Sequence, residues 1–369
     1  MPRISPSLIC RARQRNPLLP PLLGSYRDLE SAQNELRWLR EHAIARANAA
    51  ERASGETWQA CLKRLCRERA TGRPLQYVIG NQPFGALEIL CEEGVLIPRS
   101  VAICAIQTIY RRKLILRYYA FRPETESITL RLAARLRDAR RSSSSLRILD
   151  LCTGTGCISL LLHAQLQASL DHVDILGVDS SAPAISLADR NIDHNIKKGF
   201  LSQSARDEVH FTRSDMFSPM NGDYMKREWD TLIANPPYIS PKEFRAVTAR
   251  SVRRWEPKSA LVPSTTESPL PSDVEVGDSF YPRLLDIAER VNAKLFFVEV
   301  ADLDQAKRVA GLVLKQQRWA GCEIWKDMPD HKAECAGNIQ LLRRNVPILG
   351  AGNGRAVLAW MPNFGESVP

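Results

Sequence analysis

The sequence predicts an α/β fold: a mostly parallel, doubly wound sheet preceded by a small helical domain. Three observations carry that reading. From Arg147 onward, short apolar runs alternate with helical patterns, the rhythm of parallel strands joined by crossover helices. Within this region a strand-like run stops near Asp150, a turn with Gly154 and Gly156 follows, and an apolar helix begins at once. Ahead of it, Leu29–Ala70 contains no proline and sets Leu36, Leu39 and Ile44 near helical spacing, with charges on the other faces. A length of 369 residues, 44% hydrophobic and 25% charged, suits one large domain beside a smaller one and argues against a disordered or fibrous chain.

The elements follow in order. Within the helical region, Thr57–Arg69 places Trp58, Cys61, Leu62 and Leu65 on one face. Tyr77–Leu96 alternates roughly between apolar and polar and holds Gly80 and Gly85, which suits a β-hairpin or an extended connector. Strands are expected at Ile148–Leu151, Val173–Asp179, Val209–Thr212, Thr231–Ala234, Lys294–Val300, Cys322–Trp325 and Ala356–Trp360. Helices are expected at Cys157–Leu166, Ala182–Asn195, Leu284–Val291 and Leu303–Gln317. Ser264–Asp278 is rich in Ser, Thr and Pro and reads as a loop. No internal repeat is visible.

The net charge of +10 raises the question of a nucleic-acid partner, so its location matters. Residues 1–27 hold five arginines and no acid, and Ser100–Arg122 holds five basic residues and no acid. The rest of the chain is neutral, so the body of the protein is no polycation. The longest apolar runs, such as Val101–Ile106, fall far short of the roughly 18–20 residues a membrane span requires. Nine cysteines without a CxxC pair, and six histidines that form no ligand-spaced cluster with them, point to a reduced compartment and no metal site. The basic, acid-free residues 1–27 suit either a mitochondrial targeting segment or a basic first helix, with Pro17, Pro20 and Pro21 interrupting any long amphipathic run.

The most informative segment is Leu146–Leu162, LRILDLCTGTGCISLLL. Glycine is required where backbone approaches a ligand closely or takes positive φ, and the free N–H groups of the helix start face whatever binds there. Ligands of such sheets sit beyond the carboxyl ends of the strands. A second strand ends at Asp179, where a carboxylate would accept both ribose hydroxyls of an adenosine-containing cofactor. A third ends near Asp215 in RSDMF, where an acid or its neighbours can face the adenine. Nicotinamide cofactors and S-adenosylmethionine both satisfy this pattern. The turn lacks a clean GxGxxG, with Ser159 where a third glycine would fall. It resembles instead the motif of class I methyltransferases, with Cys152 in place of the first glycine, and that resemblance implies S-adenosyl-L-methionine.

Trp229–Ser240, WDTLIANPPYIS, delivers Asn235, Pro236, Pro237 and Tyr238 to the same edge of the sheet. These residue types suit methylation of a planar nitrogen whose lone pair is delocalised. Such a site holds both N–H bonds on acceptors and turns the lone pair toward the methyl group. Asn235 offers a side-chain carbonyl, Pro236 a backbone carbonyl whose direction the ring fixes, and Tyr238 a flat face for stacking.

In these residues the chain resembles the HemK/PrmC family of release factor glutamine methyltransferases, of the mitochondrial or fungal type. Asn235–Tyr238 is similar to its Asn-Pro-Pro-Tyr motif. Arg73–Arg99, Pro123–Glu126, Trp255–Leu261, Phe280–Glu289 and Glu323–Met328 are similar to its flanking segments, so the likeness runs from about Leu29 to Trp360. The resemblance implies a Rossmann-like, seven-stranded sheet and methyl transfer to the N5 nitrogen of the glutamine in the Gly-Gly-Gln motif of a class I peptide-chain release factor. It implies a helical substrate-engaging domain over 1–75, a β-hairpin connector over 76–145 and a methyltransferase domain over 146–369. Cofactor contacts carried over are Asp150, Cys152, Thr153, Gly154, Thr155, Gly156, Asp179, Asp215, Met216 and Asn235, with catalysis by Asn235, Pro236, Pro237 and Tyr238.

One segment departs from the family, in which the arginine after VLIP runs directly into PETE. Here Ser100–Arg122 intervenes, its 23 residues corresponding to 69 nucleotides, a length that suits a retained short intron as well as a genuine basic insertion. An intron and the long carboxyl half suggest a fungal or similar nuclear gene, and with the basic amino terminus a mitochondrial location; a cytoplasmic one is the alternative. Two other functions fit parts of the pattern: a DNA or RNA exocyclic-amine methyltransferase, and a non-catalytic cofactor-binding homologue. The neutral body argues against a stable nucleic-acid partner.

Overall fold

The computed structural model describes residues 4–50, 56–99, 125–139, 145–218, 222–264, 272–330, 337–362 and 364. The segment Ser100–Arg122 lies outside them. The chain divides into two units, Met1–Asn81 with Ala249–Trp255, and Gln82–Thr248 with Glu256–Pro369.

The first unit is helical. It contains α1 (Pro6–Arg15), α2 (Leu19–Tyr26), α3 (Leu29–Ala50), α4 (Trp58–Ala70), α5 (Leu75–Ile79) and a short helix over Arg250–Trp255. Ser5 caps α1 through the Leu8 amide, and Thr57 caps α4 through the Ala60 amide. Leu36, Leu39 and Ala43 of α3 pack against Leu62 and Leu65 of α4, as the apolar spacing requires. Ala12 of α1 and Leu19, Leu22 and Leu23 of α2 are sealed in the same core. Within it, the Arg69 guanidinium donates to the buried Glu35 carboxylate, joining α4 to α3. The prolines of residues 17–21 divide the basic segment into two helices rather than excluding helix from it.

The second unit holds the sheet. β1 (Asn81–Phe84) and β2 (Leu87–Leu90) pair as a small two-stranded sheet, and α6 (Thr125–Ala139) leads to β3 (Ser145–Leu151). Then follow α7 (Cys157–Leu166), β4 (His172–Asp179), α8 (Ala182–Lys197), α9 (Ala205–Glu208), β5 (Val209–Arg213) and β6 (Thr231–Ala234). After α10 (Pro241–Ala246), α11 (Asp273–Asp278) and α12 (Phe280–Arg290) come β7 (Leu295–Glu299) and α13 (Leu303–Lys315). The chain closes with β8 (Gly321–Met328), β9 (Gly337–Leu341), β10 (Arg344–Leu349) and β11 (Ala351–Trp360).

Among the described residues the main sheet has nine strands in the order β5-β4-β3-β6-β7-β11-β8-β10-β9. β3 through β7 run parallel, and β11 returns antiparallel between β7 and β8. The expected count of seven is corrected to nine: the seven expected strands all form, and β9 with β10 extends the sheet beyond β8. Both faces are covered, so β6 and β7 are buried at every residue, which is why their sequences are continuously apolar. Leu160, Leu161 and Ile175 pack on one face, and Leu149, Leu285 and Phe296 on the other. The stretch expected as loop, Ser264–Asp278, contains α11, opened by a capping box between Ser272 and Glu275.

The strand order fixes where a ligand sits. The chain leaves β3 toward β4 and β5, then returns to the other side of β3 with β6. Their carboxyl ends diverge at that reversal, leaving a crevice in which open α/β sheets bind ligands. Leu151 pairs with Ala234 in the register, so the turn after β3 and the segment after β6 leave the sheet side by side.

Candidate functional site

The turn after β3 is built on alternating backbone hands. Cys152, Gly154 and Gly156 take positive φ (62, 56 and 76°), with threonines between them. Cys152 therefore sits in the left-handed region that favours glycine, a strained place for a residue with a Cβ. The Thr153 amide donates to the Val178 carbonyl at 3.1 Å, tying the turn to β4, and Gly156 opens α7.

Asp150 supports this turn from beneath. It is fully buried, and its Oδ2 accepts from the Thr153 hydroxyl at 2.7 Å and the Ser159 hydroxyl at 2.6 Å. Oδ1 is buried and has no hydrogen-bond partner among the described residues. Burial pushes the carboxyl up to about 6 against the opposing effect of the two hydroxyls. Asp150, expected among the cofactor contacts, thus lies beneath the turn and does not itself line the crevice.

Asp179, ending β4, faces the crevice with its carboxylate braced by main chain. Oδ2 accepts from the Gly154 amide and Oδ1 from the Ser181 amide, each at 2.9 Å. Burial raises its pKa and these two amides oppose the shift. Asp215 accepts from the Phe217 amide at 2.9 Å, and the Met216 carbonyl accepts from Arg283 Nε at 2.9 Å, which fixes the DMF turn. Phe217 meets Phe280 edge to face, with ring centroids 4.9 Å apart.

On the other side of β3, β6 gives way to Asn235–Tyr238. Two prolines without N–H groups cannot continue the ladder, so the chain turns out of the sheet here. The segment is then anchored. The Tyr238 carbonyl accepts from Gln305 Nε2 at 3.4 Å, the Ile239 amide donates to the Leu261 carbonyl at 2.9 Å, and Ser240 caps α10 in a capping box with Glu243. A third wall comes from Gly94–Leu96. Beside it the buried Glu256 accepts from the Ile97 amide at 3.4 Å and lies 3.7 Å from Arg99. Burial raises the Glu256 carboxyl, with Arg99 opposing.

Together these walls enclose a cleft of about 250 Å³. Of the expected residues, Cys152, Gly154, Asp179, Asp215, Met216, Asn235 and Pro237 line it. Thr153, Thr155 and Gly156 are buried behind the turn, and Pro236 is buried beside Asn235. Tyr238 is half-buried and packs against the core. The unforeseen lining residues include Phe217, Phe280, Val95, Leu96 and Ala260. An aromatic one place after Met216 was the available signal for Phe217; Phe280, Val95, Leu96 and Ala260 lie far from the turn in sequence. Among the described residues, no three His, Cys, Asp or Glu side chains converge as a metal site would require, and no helix is long and apolar enough to cross a membrane.

Comparison with known proteins agrees with this geometry. The methyltransferase small domain family matches residues 129–255. A Schizosaccharomyces pombe protein named probable MRF1 mitochondrial N(5)-glutamine methyltransferase mtq1 is 31% identical over 323 residues, covering 85% of this chain and 89% of that one. The Saccharomyces cerevisiae mitochondrial MRF1 N(5)-glutamine methyltransferase MTQ1 is 31% identical over 264 residues, 71% of this chain and 68% of that one. The release factor glutamine methyltransferase of Bacillus subtilis is 28% identical over 269 residues, 72% of this chain and 75% of that one. The fold and cleft are those of a Rossmann-like, class I methyltransferase that uses S-adenosylmethionine. Within that class, the chain belongs to the release factor glutamine methyltransferase family.

Proposed function

We propose that this chain transfers a methyl group from S-adenosylmethionine to the N5 amide nitrogen of the glutamine in the Gly-Gly-Gln motif of a class I peptide-chain release factor, in mitochondria. The observation that carries the reading is the meeting of two segments at one switch point. The Cys152–Gly156 turn with Asp179 lies on one side, and Asn235–Tyr238 on the other.

The residues present suit this cofactor, which supplies an electrophilic methyl on a positive sulfur. Asp179, held by two main-chain amides, is ready to accept ribose hydroxyls. Met216, Phe217 and Phe280 give an apolar, partly aromatic wall for a flat base. The Asp179 and Asp215 carboxylates favour a cation in the same cleft.

The rest of the work is orientation. An amide nitrogen is planar with its lone pair delocalised, so it attacks well only when both N–H bonds are held and the lone pair is aimed. Asn235 takes one N–H on its side-chain oxygen and the Pro236 carbonyl takes the other. Pro237 stiffens the segment, and Tyr238, tethered through its carbonyl to Gln305, gives it footing. No strong base is needed, because the nitrogen gives up its proton readily once methylated. The helical domain engages the protein substrate. The names of the two yeast relatives support the mitochondrial location.

The test mixes the purified chain, with and without Ser100–Arg122, with methyl-labelled S-adenosylmethionine and a class I release factor. Mass spectrometry then locates the added methyl. Label on the Gly-Gly-Gln glutamine, reduced at least about 100-fold in rate by Asn235→Ala while cofactor still binds, is the expected result. Label on nucleic acid instead, or none from either form, overturns the reading.

A further inference from the structure

Helix α8 does more than link two strands. Its amino terminus follows Asp179 and Ser181 at the cleft, and its inner face carries two buried asparagines one turn apart, Asn191 and Asn195. A buried amide side chain is costly unless both its donor and its acceptor are used. Here both are used, and on main chain. The Leu90 amide donates to Asn191 Oδ1 at 2.7 Å, and Asn191 Nδ2 donates to the Thr155 carbonyl at 3.0 Å. The Glu88 amide donates to Asn195 Oδ1 at 2.9 Å, and Asn195 Nδ2 donates to the Glu88 carbonyl at 3.0 Å.

The pair thus treats β2 as a neighbouring strand would, reading residues 88 and 90 on one edge. Three polar contacts flank it: Arg190 clasps Glu92 with two bonds of 2.6 Å, and His194 and Lys198 approach Glu88 at 2.7 and 3.2 Å. Val95 and Leu90 pack on Ala184 and Leu187 of the same helix. The segment held in this way runs directly into Gly94–Leu96, one wall of the cleft. Beyond its own helix, where its Nδ2 also donates to the Asn191 carbonyl at 2.8 Å, Asn195 makes no bond to the glycine turn among the described residues and holds only that segment. Asn191 holds it and, through Thr155, the glycine turn that forms the facing wall.

We infer that Asn191 is a positioning residue for the cofactor: one side chain sets the distance between the Cys152–Gly156 turn and the Gly94–Leu96 wall. The inference rests on the cleft being the S-adenosylmethionine site. A ligand touching both walls is bound best when they are already spaced for it, so loosening the bridge weakens ligand binding and leaves the reacting segment after β6 in place.

The first measurement is the affinity of the unaltered chain for S-adenosylmethionine by calorimetry; no binding would defeat the proposed function itself. Given binding, Asn191→Asp keeps the acceptor for Leu90 and loses the donor to Thr155. It is expected to weaken S-adenosylmethionine about tenfold, to raise the cofactor KM by a similar factor, and to change kcat and the release-factor KM less than about twofold. Asn195→Ala is expected to lower the melting temperature and leave cofactor affinity within about twofold. Equal affinity of Asn191→Asp and the parent overturns the inference, as does equal weakening by Asn195→Ala. A second measurement needs no variant. Saturating S-adenosylmethionine is expected to slow hydrogen exchange of the Leu90 amide more than that of the Glu88 amide. Identical slowing, or none, also overturns it.

Discussion

Asp150 and Asp179 stand on neighbouring strands and face the same side of the sheet, yet they do different work, and depth along the strand decides which: the register pairs Asp150 with Gly177, so Asp179 lies two residues nearer the crevice. On β3, Ile148 and Asp150 face the side covered by α7, while Leu149 and Leu151 face the other. Asp150 is therefore driven under the turn, against Ser159 of α7, where burial lifts its carboxyl from 3.8 to about 6. Between those values the folded chain keeps a proton that the unfolded chain has released. Its contribution to unfolding free energy thus falls as pH rises through this window and is level above it. At about 1.4 kcal/mol per pH unit the fall is on the order of 3 kcal/mol. Denaturant titrations at several pH values are expected to show this slope in the parent and to show it flattened in Asp150→Asn; equal slopes would refute the assignment. The sequence made the acids at strand ends visible because position along a strand is legible in its apolar run. Their relative depth was not, since it depends on the register between β3 and β4, and a strand buried on both faces carries no mark of its register. Asn235 escaped this ambiguity because the two prolines after it mark where the chain leaves the sheet.

At the scale of elements, the seven strands β3 to β8 and β11 were legible and the β9–β10 pair was not, for a physical reason. These strands lie at the sheet edge, mostly exposed or half-buried, so GNIQL and RNVPIL lack a clear apolar pattern. Their connection is equally silent. Leu342 and Arg343 both take positive φ (48 and 63°), the geometry of a two-residue hairpin turn usually marked by Asn-Gly. Without that signature nothing in the sequence announced a hairpin. The amino-terminal helices were ambiguous in a different way, since arginines without acids suit a targeting segment and a folded helix alike. In the fold, residues 1–27 supply Ala12, Leu19, Leu22 and Leu23 to the core of the helical unit. Leu22→Ala is therefore expected to cost about 2–5 kcal/mol in that unit's denaturant unfolding. A chain beginning at residue 28 is expected to lose its cooperative transition, because the inner faces of α3 and α4 are then bared. An unchanged midpoint in both variants would show that these helices add nothing to stability.

For the whole molecule, charge and chemistry are divided between the units. The helical unit, Met1–Asn81 with Ala249–Trp255, carries 17 of the 51 Lys and Arg but only 7 of the 41 acids. The unit with the cleft carries 34 of each, so the net +10 of the chain belongs to the helical unit alone. Several of these cations, Arg11, Arg13, Arg37, Lys63 and Arg67, are exposed, whereas Arg64 and Arg69 are joined to Glu56, Glu68 and Glu35 within the unit. A small cofactor held inside a neutral unit, between close walls, is little affected by ions in solution. A protein substrate steered by a field of one sign is affected strongly, because the screening length shrinks from about 10 Å at 0.1 M salt to about 3 Å at 1 M. If the helical unit engages the substrate, the two KM values separate under salt. Raising NaCl from about 0.05 M to about 0.5 M is expected to raise the release-factor KM about fivefold or more and to move the S-adenosylmethionine KM less than about twofold. Arg11→Gln, Arg13→Gln, Lys63→Gln and Arg67→Gln combined should reduce that salt dependence and leave kcat at saturating substrate unchanged. A release-factor KM that ignores salt would mean the charge of the helical unit serves something other than capture of the substrate, and recognition would then rest on the apolar and polar groups around Asn235–Tyr238.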